Sequence, residues 1–295
     1  VIGPGGPLEL IYDDIRDEYL EGTSLYLALS AGYAVRVSDV VSIAAGIRTL
    51  SVANEIKGGL TLSGGLLGPL TQDVPLRVHA RQTGRGWGIV AGIQATPVES
   101  IRLAAHYESP IRLDLKNHVY SDDNVSDQAT LFTDGGETPL DFPAMVGLGA
   151  SYSMRDDLRI EIDFNYWFQE NADWGTSGEG RGISRMAGDS FSAGAAVAYR
   201  MTPRLELSTG LLYTWYAFED KDGFYSNTLG AIEVFYEDDL MAGLGFGWEI
   251  HPGIKFNAGS GFIVYRKATI HTPAGPVRIE NDLSSAVAVG VDWSF

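Results

Sequence analysis

Between Leu158 and Phe168 the chain alternates without a break. Leu158, Ile160, Ile162, Phe164, Tyr166 and Phe168 fall on one side, and Arg159, Glu161, Asp163, Asn165 and Trp167 on the other. Successive strand side chains point to opposite faces, so this period of two sets a greasy face against a polar one. The C-terminal stretch does the same. Leu283, Ser285, Val287, Val289, Val291, Trp293 and Phe295 share one face, opposite small and polar residues. A soluble sandwich also alternates, but it buries the apolar side, and its strands average about five or six residues. The segments here run to about twice that, and about 9–11 tilted residues suffice to cross a bilayer. The pattern predicts an all-β chain: a transmembrane up-and-down antiparallel β-barrel with apolar side chains toward lipid and polar ones toward a lumen.

Composition agrees. No run approaches the roughly eighteen apolar residues of a spanning helix. The 36 glycines, 14 tyrosines and 6 tryptophans suit thin walls and interfacial aromatic girdles. There is no cysteine, which fits passage through an oxidising compartment. A net charge of −17 argues against nucleic acid as a partner, since no basic stripe is there to neutralise phosphates. Acids gather between the segments, at Asp13, Asp14, Asp17 and Glu18, at Asp122 and Asp123, at Glu219, Asp220 and Asp222, and at Glu237, Asp238 and Asp239. They are expected to solvate exposed loops, with bridging through divalent cations to anionic surface lipid or lipopolysaccharide as a further role.

Leu8 to Gly22 mixes apolar residues and acids at helical spacing, which predicts a short amphipathic helix. Paired strands follow: 24–36 with 40–52, 86–96 with 101–116, 141–154 with 158–170, 190–201 with 204–218, and 239–250 with 254–269, before the closing strand. The joints alternate between tight turns and long loops, the wiring of an up-and-down barrel. Residues 57–83, 117–139, 171–188, 219–234 and 270–282 are read as loops. The count is eleven strands in a single domain over 1–295. Bacterial barrels have even counts, so the chain reads as a barrel domain lacking its N-terminal portion by an odd number of strands.

Two stretches carry a family resemblance. Gly84-Arg85-Gly86-Trp87-Gly88 leads to His106-Tyr107-Glu108-Ser109-Pro110-Ile111-Arg112-Leu113-Asp114-Leu115-Lys116, and Leu140-Asp141-Phe142-Pro143-Ala144-Met145 leads to Phe164-Asn165-Tyr166-Trp167. These resemble the long-chain fatty acid transporters of Gram-negative outer membranes (FadL type). The resemblance implies a barrel of about fourteen strands, closed by an N-terminal hatch that is not in this sequence. It also implies diffusive passage of a hydrophobic small molecule, most simply a long-chain fatty acid. An aromatic hydrocarbon channel, or a structural or adhesive barrel carrying nothing, are the alternatives. A closing strand that ends in aromatic Phe295 resembles those read by the barrel assembly machinery. A monomer is expected, with no cofactor.

Leu60, Leu62, Leu66, Leu67 and Leu70 lie among glycines in a stretch read as an extracellular loop. Exposed apolar side chains there suggest ligand capture, and the resemblance implies the same. Arg48, Arg102, His106, Arg112, Arg159 and Lys255 are read as lumen-facing, able to meet an acidic head group or to pair with Glu108, Asp114, Glu161, Asp163, Glu206 and Glu249. Ile111, Leu113 and Leu115 are expected to face lipid. The inward glycines Gly86, Gly88, Gly92, Gly243, Gly245 and Gly247 are read mainly as wall thinning. No Gly-x-Ser-x-Gly elbow and no metal-ligand spacing is present, so neither a catalytic nor a metal site is expected.

Overall fold

The computed structural model describes residues 14–63, 74–123, 132–177, 180–227, 237–272, 275–279 and 283–294. The strands are β1 (Asp14–Arg36), β2 (Val41–Ser63), β3 (Val74–Val98), β4 (Ile101–Glu108), β5 (Asp114–Asp123), β6 (Glu137–Pro139), β7 (Ala144–Arg155) and β8 (Leu158–Phe168). After these come β9 (Ser190–Thr202), β10 (Leu205–Tyr216), β11 (Asp239–His251), β12 (Ile254–Tyr265), the hairpin β13 (Ala268–Thr272) and β14 (Gly275–Ile279), and β15 (Ser284–Trp293). One curled antiparallel sheet runs in the order β1-β2-β3-β4-β7-β8-β9-β10-β11-β12-β15, with β5 paired to β3 and β6. Two short helices, α1 (Ile183–Ala187) and α2 (Lys221–Asn227), sit in the long connections. No helix among the described residues is long and apolar enough to cross a membrane.

The convex face is apolar and bare. Leu29, Ile47, Ile162, Leu211, Leu244 and Val289 stand exposed along it, and Val287 reaches 79%. An exposed apolar surface this continuous needs hydrocarbon against it. Its upper border is aromatic. Phe191 is the register partner of both Tyr166 and Trp215, and it stacks on Trp215 at 5.0 Å, forming part of the girdle expected at a membrane interface.

Several expectations are corrected. Residues 14–22, read as helix, are strand in β1, while the start of that stretch lies outside the described residues. β2 continues to Ser63 and β3 begins at Val74, so most of the supposed 57–83 loop is a two-stranded extension in unbroken register, from Val41↔Ala95 to Leu62↔Val74. The supposed 101–116 strand is two strands. β4 ends at Glu108, and Asp114 opens β5, which continues along the same β3 neighbour to Asp123.

The acidic connections are also more than solvated loops. Met186, Ala187, Phe224, Tyr225 and Ile270 form a buried cluster that joins the connections at 171–188, 219–234 and 270–282, with Trp174, Ile183 and Phe218 packed on it. Glu237, 2% exposed, accepts a hydrogen bond from Lys221 Nζ at 2.7 Å. Burial pushes its carboxyl up despite that partner. Asp220 accepts from the Gly223 N–H at 2.8 Å and pairs with Arg181, and both interactions hold its carboxyl down.

Candidate functional site

The concave face changes character along the strands. Near the tight turns it is charged. Arg159 Nε donates to Glu161 at 2.6 Å, its Nη1 lies 3.6 Å from Glu206, and Lys255 Nζ reaches the other Glu206 oxygen at 3.4 Å. Inward glycines make room for these side chains to lie flat on the wall. A Cβ on Gly247 would collide with the Lys255 stem, and one on Gly147 would collide with the His106 ring. Higher up, Arg48 donates through Nε to Ser30 at 3.0 Å and pairs with Glu108. Arg102, on β4 near the turn, is exposed and has no ion pair among the described residues.

Above Arg48 the concave face turns apolar. Leu50 and Val52 of β2 pack with Ile111, Leu113 and Leu115, and Leu140 joins them. Leu113 is fully buried. The curl of the sheet brings Tyr26 of β1 to Phe142, just before β7, with ring centroids 5.8 Å apart. On the convex side at this height stand Glu55, Lys57 and His79, joined in one contact network on the Glu55 carboxylate. The polarity of the wall has therefore inverted. In the belt it is apolar outside and polar inside; above the belt it is polar outside and apolar inside.

The inversion on β4–β5 depends on a built step. At Ser109-Pro110 the chain leaves β3, and the register against β3 shifts by one residue, from Val90↔Glu108 to Thr83↔Lys116. Proline has no N–H to give the ladder. The Ser109 hydroxyl accepts from the Ile89 N–H at 2.8 Å, while the Ser109 N–H donates to the Ile89 carbonyl at 2.9 Å. On the other side Asp141 accepts from the Leu113 N–H at 2.9 Å, and Ile111 and Phe142 exchange backbone hydrogen bonds. Across the step the strand lies over Gly84, Gly86 and Gly88. A Cβ on Gly88 would sit 2.9 Å from Ile111 Cγ1, and one on Gly86 would strike the Arg112 carbonyl. These three glycines are there for close approach rather than wall thinning.

The step settles where several predicted residues stand. Ile111, Leu113 and Leu115, expected to face lipid, are turned inward and buried because the one-residue shift flips every following side chain. Arg112, expected in the lumen, is exposed on the opposite side for the same reason. Leu60 and Leu62 belong to β2 and are register partners of Leu76 and Val74. Leu66, Leu67 and Leu70 lie outside the described residues. Arg48, His106, Arg159 and Lys255 are on the concave face as read. Sequence reasoning misses Leu50 and Val52, and it meets Ser109 and Asp141 only as parts of the stretches that carry the family resemblance. The signal for the first two was there: apolar residues move from odd positions at 41–47 to even ones at 50–56.

A bare apolar belt under an aromatic border, with an inward-facing polar wall, defines an outer-membrane β-barrel. The family model for outer membrane protein transport protein (OMPP1/FadL/TodX) matches residues 23–292. The chain belongs to that family of bacterial outer-membrane transport proteins. Its fold is similar to that of a Pseudomonas aeruginosa FadL homologue, with a TM-score of 0.63 and 17% identity over 91% of this chain and 67% of that one. It is also similar to the P. putida toluene transporter TodX, at 0.57 and 14% over 93% and 70%, and to the CymD monoaromatic hydrocarbon channel, at 0.55 and 14% over 95% and 75%. No curated protein sequence matches the chain.

Proposed function

We propose that this barrel domain carries a hydrophobic small molecule across the outer membrane, most simply a long-chain fatty acid, by diffusion between sites on its inner wall and without catalysis. The observation that carries this reading is the inward apolar cluster of Leu50, Val52, Ile111, Leu113 and Leu115, placed above the lipid belt. An alkyl chain that leaves water gains about 0.8 kcal/mol per buried methylene, so uptake of such a cargo needs no charged contact. Capture at the loop end falls to Leu60, Leu62, Leu66, Leu67 and Leu70. Among the cations, Arg102 is the strongest candidate for an acidic head group, since Arg48, Arg159 and Lys255 are already paired. His106 and the outward Arg112 are weaker ones. The printed names of TodX and CymD as toluene and monoaromatic channels support a second reading, an aromatic hydrocarbon as cargo.

The partners proposed besides the ligand are outer-membrane lipid with its lipopolysaccharide, met by the exposed Arg112 side, and the barrel assembly machinery at the C-terminal strand. The protein is read as a monomer. The cargo test is binding of oleate and p-xylene to vesicle-reconstituted protein, comparing wild type with Val52→Thr. The swap keeps shape but adds a hydroxyl, which costs about 1–3 kcal/mol when buried without a partner. Binding of the true cargo is expected to fall fivefold or more. Saturable binding of neither probe would refute the reading.

A further inference from the structure

Where the polar outside of the upper wall meets the belt, it is basic. The outward positions of β3 run Arg81, Thr83 and Arg85, then Trp87 and Ile89, which stand exposed at the top of the belt. Beyond the step the neighbouring segment turns Arg112 and Lys116 to the same side. Lys116 is the register partner of Thr83, and the Arg112 backbone lies against Gly86. Four cations therefore share one outer surface two strands wide. Arg81 and Arg85 are about 13 Å apart along β3 and the next strand is about 4.8 Å away, room for more than one phosphate group.

All four are exposed, and none has an ion pair among the described residues. Arg85 donates through Nε to Ser51 at 3.1 Å, which leaves its two terminal nitrogens open. The inward cations Arg48, Arg159 and Lys255 each have a carboxylate. Outside, carboxylates stand near and are not taken. Asp114 falls between Arg112 and Lys116, and Glu137 is the register partner of Lys116. Glu55, the register partner of Arg81, is held by Lys57 and His79 at 2.9 Å each. Asp114 and Glu137 set against the four cations leave an excess of two positive charges, on a chain whose net charge is −17.

A surface that begins where the hydrocarbon ends meets lipid head groups. Guanidinium groups without carboxylates are matched there by phosphate, which accepts two parallel N–H bonds from one arginine. A phosphate monoester carries about 1.5–2 negative charges at neutral pH, more than the single charge of a phospholipid diester. We propose that this surface docks the phosphorylated sugar head group of lipopolysaccharide. Arg81, Arg85, Arg112 and Lys116 pair with its phosphates directly, and its acyl chains lie over Trp87 and Ile89. This rests on the reading of lipopolysaccharide as a partner of the convex face, and it adds the contact and the chemical group held.

The test titrates the full chain, in zwitterionic detergent micelles with EDTA, with bis-phosphorylated lipid A, the same lipid dephosphorylated, or phosphatidylglycerol. Bound lipid is counted by native mass spectrometry. Wild type is expected to hold bis-phosphorylated lipid A about tenfold more tightly than either other lipid. The triple variant Arg81→Gln, Arg85→Gln, Lys116→Gln should lose that preference. Arg36→Gln, Arg200→Gln, Arg204→Gln, which removes as much charge at the tight-turn end, should keep it. So should Arg81→Lys with Arg85→Lys, which separates loss of charge from loss of fold. The docking site is overturned if wild type shows no preference, if the preference survives in the first triple variant, or if it disappears in either of the other two. Equal binding of phosphatidylglycerol would make the surface a general anion contact and also overturn it. Binding that appears only with added calcium would assign the contact to bridging through Asp114 and Glu137 and overturn direct pairing. Oleate binding by wild type tests the transport reading separately, so either reading can fail and leave the other standing.

Discussion

Gly86→Val is expected to cost the fold about 3 kcal/mol or more, at the upper end of what overpacking does, read as a fall in the urea midpoint of protein refolded into vesicles. The cause is local. At Gly86 a Cβ meets the Arg112 carbonyl, with Ile111 Cγ2 at 2.5 Å and Leu113 Cδ2 at 3.1 Å. Backbone cannot swing aside as a lysine stem can, so the strand would have to leave the wall. Gly243 provides the control. It is also an inward strand glycine, but a Cβ there meets nothing nearer than the Ser260 carbonyl at 3.7 Å. Gly243→Ala should therefore stay within about 1 kcal/mol of wild type. Equal losses at the two sites would refute the step as the reason for the glycine strip.

The second large effect is expected on the outside. Leu211, in the middle of β10, is 57% exposed on the convex face. Leu211→Arg should destabilise the barrel in a bilayer by about 2–4 kcal/mol, the cost of a guanidinium near the midplane. Ser208, on the other face of the same strand, looks toward the concave side beside Gly245. Ser208→Arg should be tolerated in the same titration. If the two arginines cost the same, the convex face of β10 does not meet hydrocarbon.

How much of this was readable in the residues depends on where the wall stands. Within the belt, alternation identified the strands, their order and their turns, because one face has hydrocarbon beside it and every outward position is under the same pressure. Above the belt that pressure reverses, and a search for apolar-outward alternation stops. On β2 the reversal is written in the sequence, as the shift from Ile43 and Ile47 to Leu50 and Val52 with unbroken register. On β4–β5 the apolar parity never changes from Leu103 to Leu115. The backbone shifts instead, at Ser109-Pro110. The same inversion is thus reached by two routes, and only the first is visible as a pattern. The cap of loops was hidden for another reason. Its core of Met186, Phe224 and Ile270 comes from three separate connections, and no local period reports contacts of that range.

The most direct test of the inverted wall uses β2 alone. The chain has no cysteine, so a single introduced thiol can carry a nitroxide label with no competing site. Labels at Ile47→Cys, Val52→Cys and Glu55→Cys, in vesicle-reconstituted protein, are compared for collision with dissolved oxygen, which concentrates in lipid, and with a water-soluble nickel chelate. The label at 47 should collide mainly with oxygen, the label at 55 mainly with nickel, and the label at 52 with little of either. A label at 55 that meets lipid, together with one at 52 open to nickel, would contradict the account.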